Sequence, residues 1–398
     1  MKNKKWFTCT PVAFKGDHTF FHRDSGLFCK AFQEIGIESK AVMPLPSQEG
    51  DWPDLIRTEY KNLESADWWR SLDVTGVLLY SWGASRYTSV ARAIHQSGAK
   101  LVIYMDTCSA VYPWEAWTSR TKLFFRVAKY RHGRWYPMHA LASILWAHSL
   151  GLANYPRRRA HLGYADIIGL PTSYAVDAYK RVPFLLSDNS KKRIRFVPCP
   201  IAWHFRYNPE ITKEPRIIAV GRWDDEEPKR PRYMMEAIEQ VCKKKDRYVF
   251  DIFGHIPAFM QQWHKDLPES QKTRIVLHGI VPNQLLVEYY QKAQVCLCPS
   301  MHESTHLASA EAICCGCSVV VANTPFLRGV HWYTSENSGT VAPEDTPTAF
   351  AAAIEDEMHS WAIGKRDPTQ ISNHWTKRLH ATNTARNILA FFEPPSCN

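Results

Sequence analysis

Four charged residues in the second half of the chain have the types and spacing to hold a phosphorylated, hydroxyl-rich ligand. Arg222 and Lys229 lie in the loop 221–230, which reads Gly-Arg-Trp-Asp-Asp-Glu-Glu-Pro-Lys-Arg. Two cations beside a cleft suit a diphosphate, whose charge is otherwise costly to desolvate. Taken alone, the same loop also reads as a solvated run of mixed charge. Glu303 and Glu311 stand eight positions apart, the second within an otherwise apolar helical run. A carboxylate among apolar helix positions costs free energy unless it meets hydrogen-bond donors such as sugar hydroxyls. Between the two glutamates the chain turns into a helix N-terminus, whose free N–H groups and dipole favour phosphate. The loop 277–281, Leu-His-Gly-Ile-Val, offers backbone groups to the edge of a flat base.

These loops need strands to end on. Short apolar or β-branched runs alternate with helical patterns throughout, the mark of parallel α/β layers. In the first half the expected strands are 5–10, 39–44, 76–81, 100–106, 166–171 and 195–200, with helices such as 26–35 and 87–96. In the second half they are 216–220, 248–254, 274–279, 295–299 and 318–323, with helices 233–242, 284–293 and 308–315. The fold expected is two doubly wound parallel-sheet domains, 1–205 and 206–374, with the boundary in the Pro-flanked segment 203–215. A last helical stretch, 375–392 within the C-terminal piece 375–398, is expected to pack back toward the first domain. Two such domains face their strand C-termini, and the loops that bind ligands, into one crevice.

The 398 residues carry 49 Lys+Arg against 39 Asp+Glu, a net charge of +10, with 45% apolar and 13% aromatic residues. That apolar share excludes a disordered chain, and the basic, aromatic balance points to an anionic partner. The basic N-terminus lacks the apolar core of a signal peptide and reads as a first strand. The most apolar stretch, 137–153, is too short to span a bilayer. Eleven cysteines in a chain of this length do not make a disulfide framework. The spacings C-x-C at 296–298 and C-C-x-C at 314–317 do not match structural zinc sites, so no metal site is expected. The expected setting is the cytoplasm or the inner face of the membrane.

The run from Pro299 to Val320 resembles the donor-site signature of the GT-B glycosyltransferases of the retaining family 4, the group 1 family. Ser300, Glu303, Glu311, Ala312 and Gly316 fall in register with it. The Arg222–Lys229 pair, Ile252-Phe253-Gly254 and His278-Gly279-Ile280-Val281 also match, and the likeness extends over roughly 216–356. It implies a retaining transfer from a nucleoside-diphosphate sugar, a UDP- or GDP-sugar, with no cofactor and no obligatory metal. Arg222 and Lys229 would then neutralise the diphosphate, Glu311 would bind the ribose hydroxyls, and Glu303 would contact the transferred sugar. Gly279 and Val281 would meet the base, and the backbone of Thr305, His306 and Leu307 would cap phosphate and sugar. Gly26 would let the first domain approach the diphosphate from the other side. One departure stands out: where the family has Gly-Phe-Gly after the first glutamate, this chain has Ser304-Thr305-His306. A silent nucleotide-sugar-binding protein or a sugar-nucleotide epimerase on the same scaffold are the alternatives.

The acceptor, a glycan or lipid-linked hydroxyl, should meet the N-domain loops 81–83 and 106–107, with Asp106 as the residue that orients it or, equally, as a loop cap. The segment 116–165 carries nine Lys/Arg and no acidic residue, interleaved with aromatics. It reads as a basic, aromatic insert, about 114–160, for an anionic membrane surface. A solvated face over packed helices and single-stranded nucleic acid are the competing readings, the last the least favoured.

Overall fold

The computed structural model describes residues 4–105, 117–149, 152, 154–182, 184–335 and 337–393. Two wholly parallel sheets form, one in each half. The first has seven strands: β1 (Trp6–Cys9), β2 (Ala41–Pro44), β3 (Leu55–Thr58), β4 (Gly76–Tyr80), β5 (Lys100–Tyr104), β6 (Ile167–Leu170) and β7 (Ile194–Phe196). Their order is β3-β2-β1-β4-β5-β6-β7. The second has six: β8 (Glu214–Val220), β9 (Val249–Phe253), β10 (Ile275–Gly279), β11 (Ala293–Cys298), β12 (Ser318–Val321) and β13 (Gly339–Val341), in the order β10-β9-β8-β11-β12-β13. In each sheet the chain reverses its direction of winding beside the first strand, between β1 and β4 and between β8 and β11. Ligands of open α/β sheets bind outside the strand C-termini at such points.

The central strands are buried on both faces, as β4 and β12 show, which is why they read as continuous apolar runs. All nine cysteines among the described residues are free and buried, packed as small hydrophobes. The two strands missing from the expected set, β3 and β13, are sheet-edge strands of four and three residues, only partly buried. Neither has the long β-branched run that marks a central strand. One contiguous apolar cluster runs from Trp6, Phe28 and Phe32 through Ile201 and Phe205 into the second domain's core.

The C-terminal stretch is two helices, not one. Pro368–Leu379 lies on the second domain, with Trp375 fully buried beside Trp332. His380 is extended (φ −59°, ψ 133°), and its neighbours bracket Ile201: Ile201 N–H donates to the Leu379 carbonyl at 2.8 Å and Ala381 N–H to the Ile201 carbonyl at 3.0 Å. The backbone bonds that anchor the interdomain segment replace those that would have continued the helix. Ala381–Ala390 then packs on the helix Asp24–Glu34 of the first domain, and Phe392 meets Trp6 at 5.2 Å.

The basic insert folds as two packed helices, Trp117–His132 and Tyr136–His148, followed by Asn154–Gly163. Among the described residues no helix is long and apolar enough to cross a membrane.

Candidate active site

A cleft of about 900 Å³ opens between the two sets of strand ends. From the second domain it is lined by Arg222, Lys229, Glu303, Thr305, His306, Leu307 and Glu311, and from the first by Arg23, Tyr80 and Tyr104. The fold therefore brings together seven of the residues singled out in the sequence.

Lys229 ends a one-turn helix after β8, and Glu303 lies in the loop after β11. Their side chains, each 15% exposed, meet with Lys229 Nζ 2.5 Å from Glu303 Oε1. The Ser300 hydroxyl donates to the same oxygen at 2.8 Å. Oε2 takes no partner among the described residues, which leaves it for a hydroxyl in the cleft. Burial alone would raise the Glu303 pKa, but His306, Lys229 and the bonds from Lys229 and Ser300 together hold it below the usual carboxylate range. Burial pushes His306 itself down to about 4, so at neutral pH the imidazole is uncharged. Under those conditions Lys229 and the hydrogen bonds keep Glu303 ionised.

Arg222 is 78% exposed at the cleft and, among the described residues, pairs only with Asp225, at 3.5 Å. It is a cation with little else to neutralise. Across the cleft, Arg23 caps the start of the helix Asp24–Glu34 without a side-chain capping bond. Its guanidinium makes no hydrogen bond or ion pair among the described residues, though its charge is felt by Glu311. Sequence reading missed Arg23, a lone basic residue in a polar loop with no periodicity to mark it.

His306 is the N-cap of the helix Leu307–Cys314 and has a left-handed backbone (φ 43°, ψ 77°). Such a conformation costs a non-glycine residue roughly 1–2 kcal/mol, which is a physical reason for glycine at this place in the motif the sequence resembles. His306 occupies it with its Nδ1 2.7 Å from the Ser309 hydroxyl. The amides of Leu307 and Ala308, at the start of that helix, have no acceptor among the described residues and stand where an anion is favoured.

Glu311 sits one helical turn deeper, 3.5 Å from the Tyr290 hydroxyl. Burial pushes its pKa up to about 7, against a lowering by Arg23 and the Tyr290 bond. A carboxyl whose folded pKa is raised gives the unfolded chain the advantage once both forms are ionised. The ligand-free protein should thus lose stability as pH rises from the ordinary carboxylate range through about 7. Glu311→Gln should flatten that part of the profile, as read by melting temperatures across the same range. An unchanged slope would remove Glu311 as its source.

Three expected contacts are not on the cleft wall. Gly26 lies within the helix Asp24–Glu34, where a Cβ would fall 2.4 Å from the Phe20 carbonyl. Its smallness serves the packing of its own loop, and Arg23 reaches the cleft instead. Gly279 ends β10 and Val281 turns into the core, so Ile280 between them lines the cleft, with His255 and Asn283 as the polar groups nearby. His278 points away from the cleft, its Nε2 2.7 Å from the buried Asp251 and its ring stacked 4.3 Å from Phe253. Asp106 lies outside the described residues.

Beside the main cleft, and sharing Arg23 and Tyr80 with it, is a second cavity of about 500 Å³. Phe14, Lys15, Thr19, Ser25 and Trp82 help to line it. Trp82 has φ 52°, an outlier for a bulky residue of the kind that gathers at functional sites. Its loop is tied down by the buried bond between Ser81 Oγ and His161 Nε2, at 3.0 Å. Among the described residues no group of three or more His, Cys, Asp or Glu could hold a metal ion.

Residues 214–359 match the family model described as "Glycosyl transferases group 1". No curated protein matched the sequence. Among solved structures, a glycosyltransferase from Rickettsia africae aligns with TM-score 0.64 and 12% identity over 98% of both chains. Sucrose-phosphate synthase from Thermosynechococcus elongatus aligns with TM-score 0.58 and 15% identity, again over 98% of both. The Anabaena protein HepE, solved in complex with UDP-glucose, aligns with TM-score 0.59 and 10% identity over 97% of this chain and 99% of that one. At these identities the likeness is one of fold, and the fold is GT-B.

Proposed function

We propose that this chain, a GT-B protein whose residues 214–359 match a group 1 glycosyl transferase domain, moves a sugar from a nucleoside-diphosphate sugar to an acceptor hydroxyl. The observation that carries this reading is the Lys229–Glu303 pair at 2.5 Å, set beside an open helix N-terminus and flanked by the exposed Arg222 in an interdomain cleft. Arg222, Lys229 and, from the opposite domain, Arg23 neutralise the diphosphate and stabilise the departing nucleotide, so the reaction needs no metal. The amides around Thr305, His306 and Leu307 bind phosphate and sugar oxygens, Glu303 Oε2 accepts from a sugar hydroxyl, and Glu311 accepts from the ribose diol. The base lies along Ile280, with Asn283 and His255 at its edge. HepE's complex with UDP-glucose favours a uridine nucleotide over guanosine.

The acceptor lies in the neighbouring cavity against Trp82 and Phe14, a glycan or the sugar headgroup of a lipid-linked saccharide used in cell-surface polysaccharide or glycolipid synthesis. The setting is the cytoplasmic side of the membrane. With acceptor and leaving group on the same face of the sugar, transfer retains the anomeric configuration. The work of the site is electrostatic stabilisation and positioning.

Nucleotide release with UDP-sugars and acceptor mixtures tests the reading. Acceptor-dependent release, with the product's anomeric configuration unchanged by NMR, is the expected result. Donor binding without turnover would make the chain a binder, and isomerisation of the donor without any acceptor would make it an epimerase.

A further inference from the structure

The helix Tyr136–His148 is apolar, yet most of it faces solvent. Trp135, Met138, Leu141, Leu145 and Trp146 are each between 56% and 65% exposed. Met138, Leu141 and Leu145, at i, i+3 and i+7, lie along one face of the helix, and the two tryptophans stand at its ends. With Phe124 of the preceding helix, Leu145 and Trp146 border an open hollow of about 610 Å³. A continuous apolar surface of this kind on a soluble domain marks an interaction site.

The charge around it selects the partner. The segment 116–165 has nine cations and no carboxylate, and Lys122, Lys129 and Arg134 of the same hairpin are exposed. Two copies of the chain joined through this face would set those cations against each other. Nucleic acid would meet methionine and leucine where stacking needs rings. A bilayer bearing anionic headgroups satisfies both features, with an apolar layer for the ridge and phosphates for the cations. A helix of 13 residues is about 20 Å long, too short to cross a hydrocarbon core of about 30 Å. It suits a position along the interface, its tryptophans at headgroup depth.

We propose that the hairpin formed by Trp117–His132 and Tyr136–His148 docks the protein on an anionic lipid surface, with Met138, Leu141 and Leu145 entering the bilayer's apolar edge and the two flanking tryptophans at headgroup depth. The other side of the hairpin rests on the donor loops. Leu123 packs with Met301 and Phe326, and Arg126 Nε lies 3.7 Å from Glu227 Oε2, two residues before Lys229. Docking thereby holds the cleft at the membrane surface. This last point rests on the glycosyltransferase reading and its lipid-linked acceptor, whereas the docking does not.

Sedimentation of the full chain with phosphatidylcholine vesicles, with and without phosphatidylglycerol, tests the proposal. Binding should require the anionic lipid and fall at least roughly tenfold in both Leu141→Glu/Leu145→Glu and Lys122→Glu/Lys129→Glu. Since all four side chains are exposed, melting temperature and UDP binding should match the parent protein. That leaves donor binding as a separate readout, whose failure would fall on the functional reading alone. Absence of vesicle binding by the parent protein would overturn the proposal. So would leucine variants that bind like the parent, or light scattering that shows a dimer dissolved by the leucine substitutions.

Discussion

Lys229→Met is expected to cut sugar transfer by roughly a hundred- to a thousandfold, the usual cost of losing one preorganised group that stabilises transition-state charge. The reason lies in what the ammonium touches. It lies 2.5 Å from Glu303 in a part of the cleft where both side chains are 15% exposed, and in the proposed reaction the incoming diphosphate shares it. Without it, Glu303 keeps one hydrogen bond, from Ser300, and the departing phosphate loses its least hydrated cation. The substitution also strands a largely buried carboxylate, which should destabilise the ligand-free protein by about 3 kcal/mol. A double variant, Lys229→Met with Glu303→Gln, separates the two effects. Removing both charges should restore most of the melting temperature while transfer stays at the low level of the single variants. A cycle of kcat/KM and melting temperature over the four proteins checks this. Recovery of transfer in the double variant would show that the pair is structural.

The second large effect is on folding. Gly254 follows β9 with φ 112°, and a Cβ there would stand 1.8 Å from the Gly221 carbonyl. Gly221 N–H bonds to the Phe253 carbonyl at 3.1 Å and Gly254 N–H to the Gly279 carbonyl at 2.8 Å. The ends of β8, β9 and β10 are thus laced together immediately beneath the cleft. Gly254→Ala must break that lacing as well as adopt a backbone conformation that is essentially reserved for glycine. A loss of at least about 3 kcal/mol, and hence of roughly 6–12 °C in melting temperature, is expected. Donor affinity should fall with it, because Arg222, Gly221 and His255 stand on the displaced loops. A variant with unchanged melting temperature would contradict the geometry at this junction.

The second sheet and the loops at its strand ends were legible in the sequence because each of their signals has a local cause. Strands buried on both faces, such as Cys296 to Cys298 and Val319 to Val321, must be continuous apolar runs. The loops at their ends then carry charges which, read alone, could equally be a solvated face, and it is their shared cleft that brings them together. Arg23 was not legible, since its place on the cleft wall comes from the opposition of two domains, and nothing in the neighbouring sequence encodes that distance. Gly279 and Val281 do not line the cleft and Ile280 between them does, because the loop turns Ile280 outward and packs Val281 against the core. The departure from glycine at His306 was visible as a residue type. Its meaning, a left-handed N-cap braced by Ser309, required backbone angles. The helix Tyr136–His148 illustrates the same limit from another side. Its composition resembles a buried helix, and periodicity cannot say whether neighbours cover it.

The most direct measurement of the central claim is calorimetric titration of UDP and UDP-glucose into the full chain in chelator-containing buffer, with Glu311→Ala and Arg222→Ala alongside. The account predicts saturable binding at one site without added metal. It also predicts weakening by roughly tenfold or more in each variant, the worth of a lost charge-assisted contact. Absence of binding by the parent protein, or equal affinity in all three proteins, would contradict it.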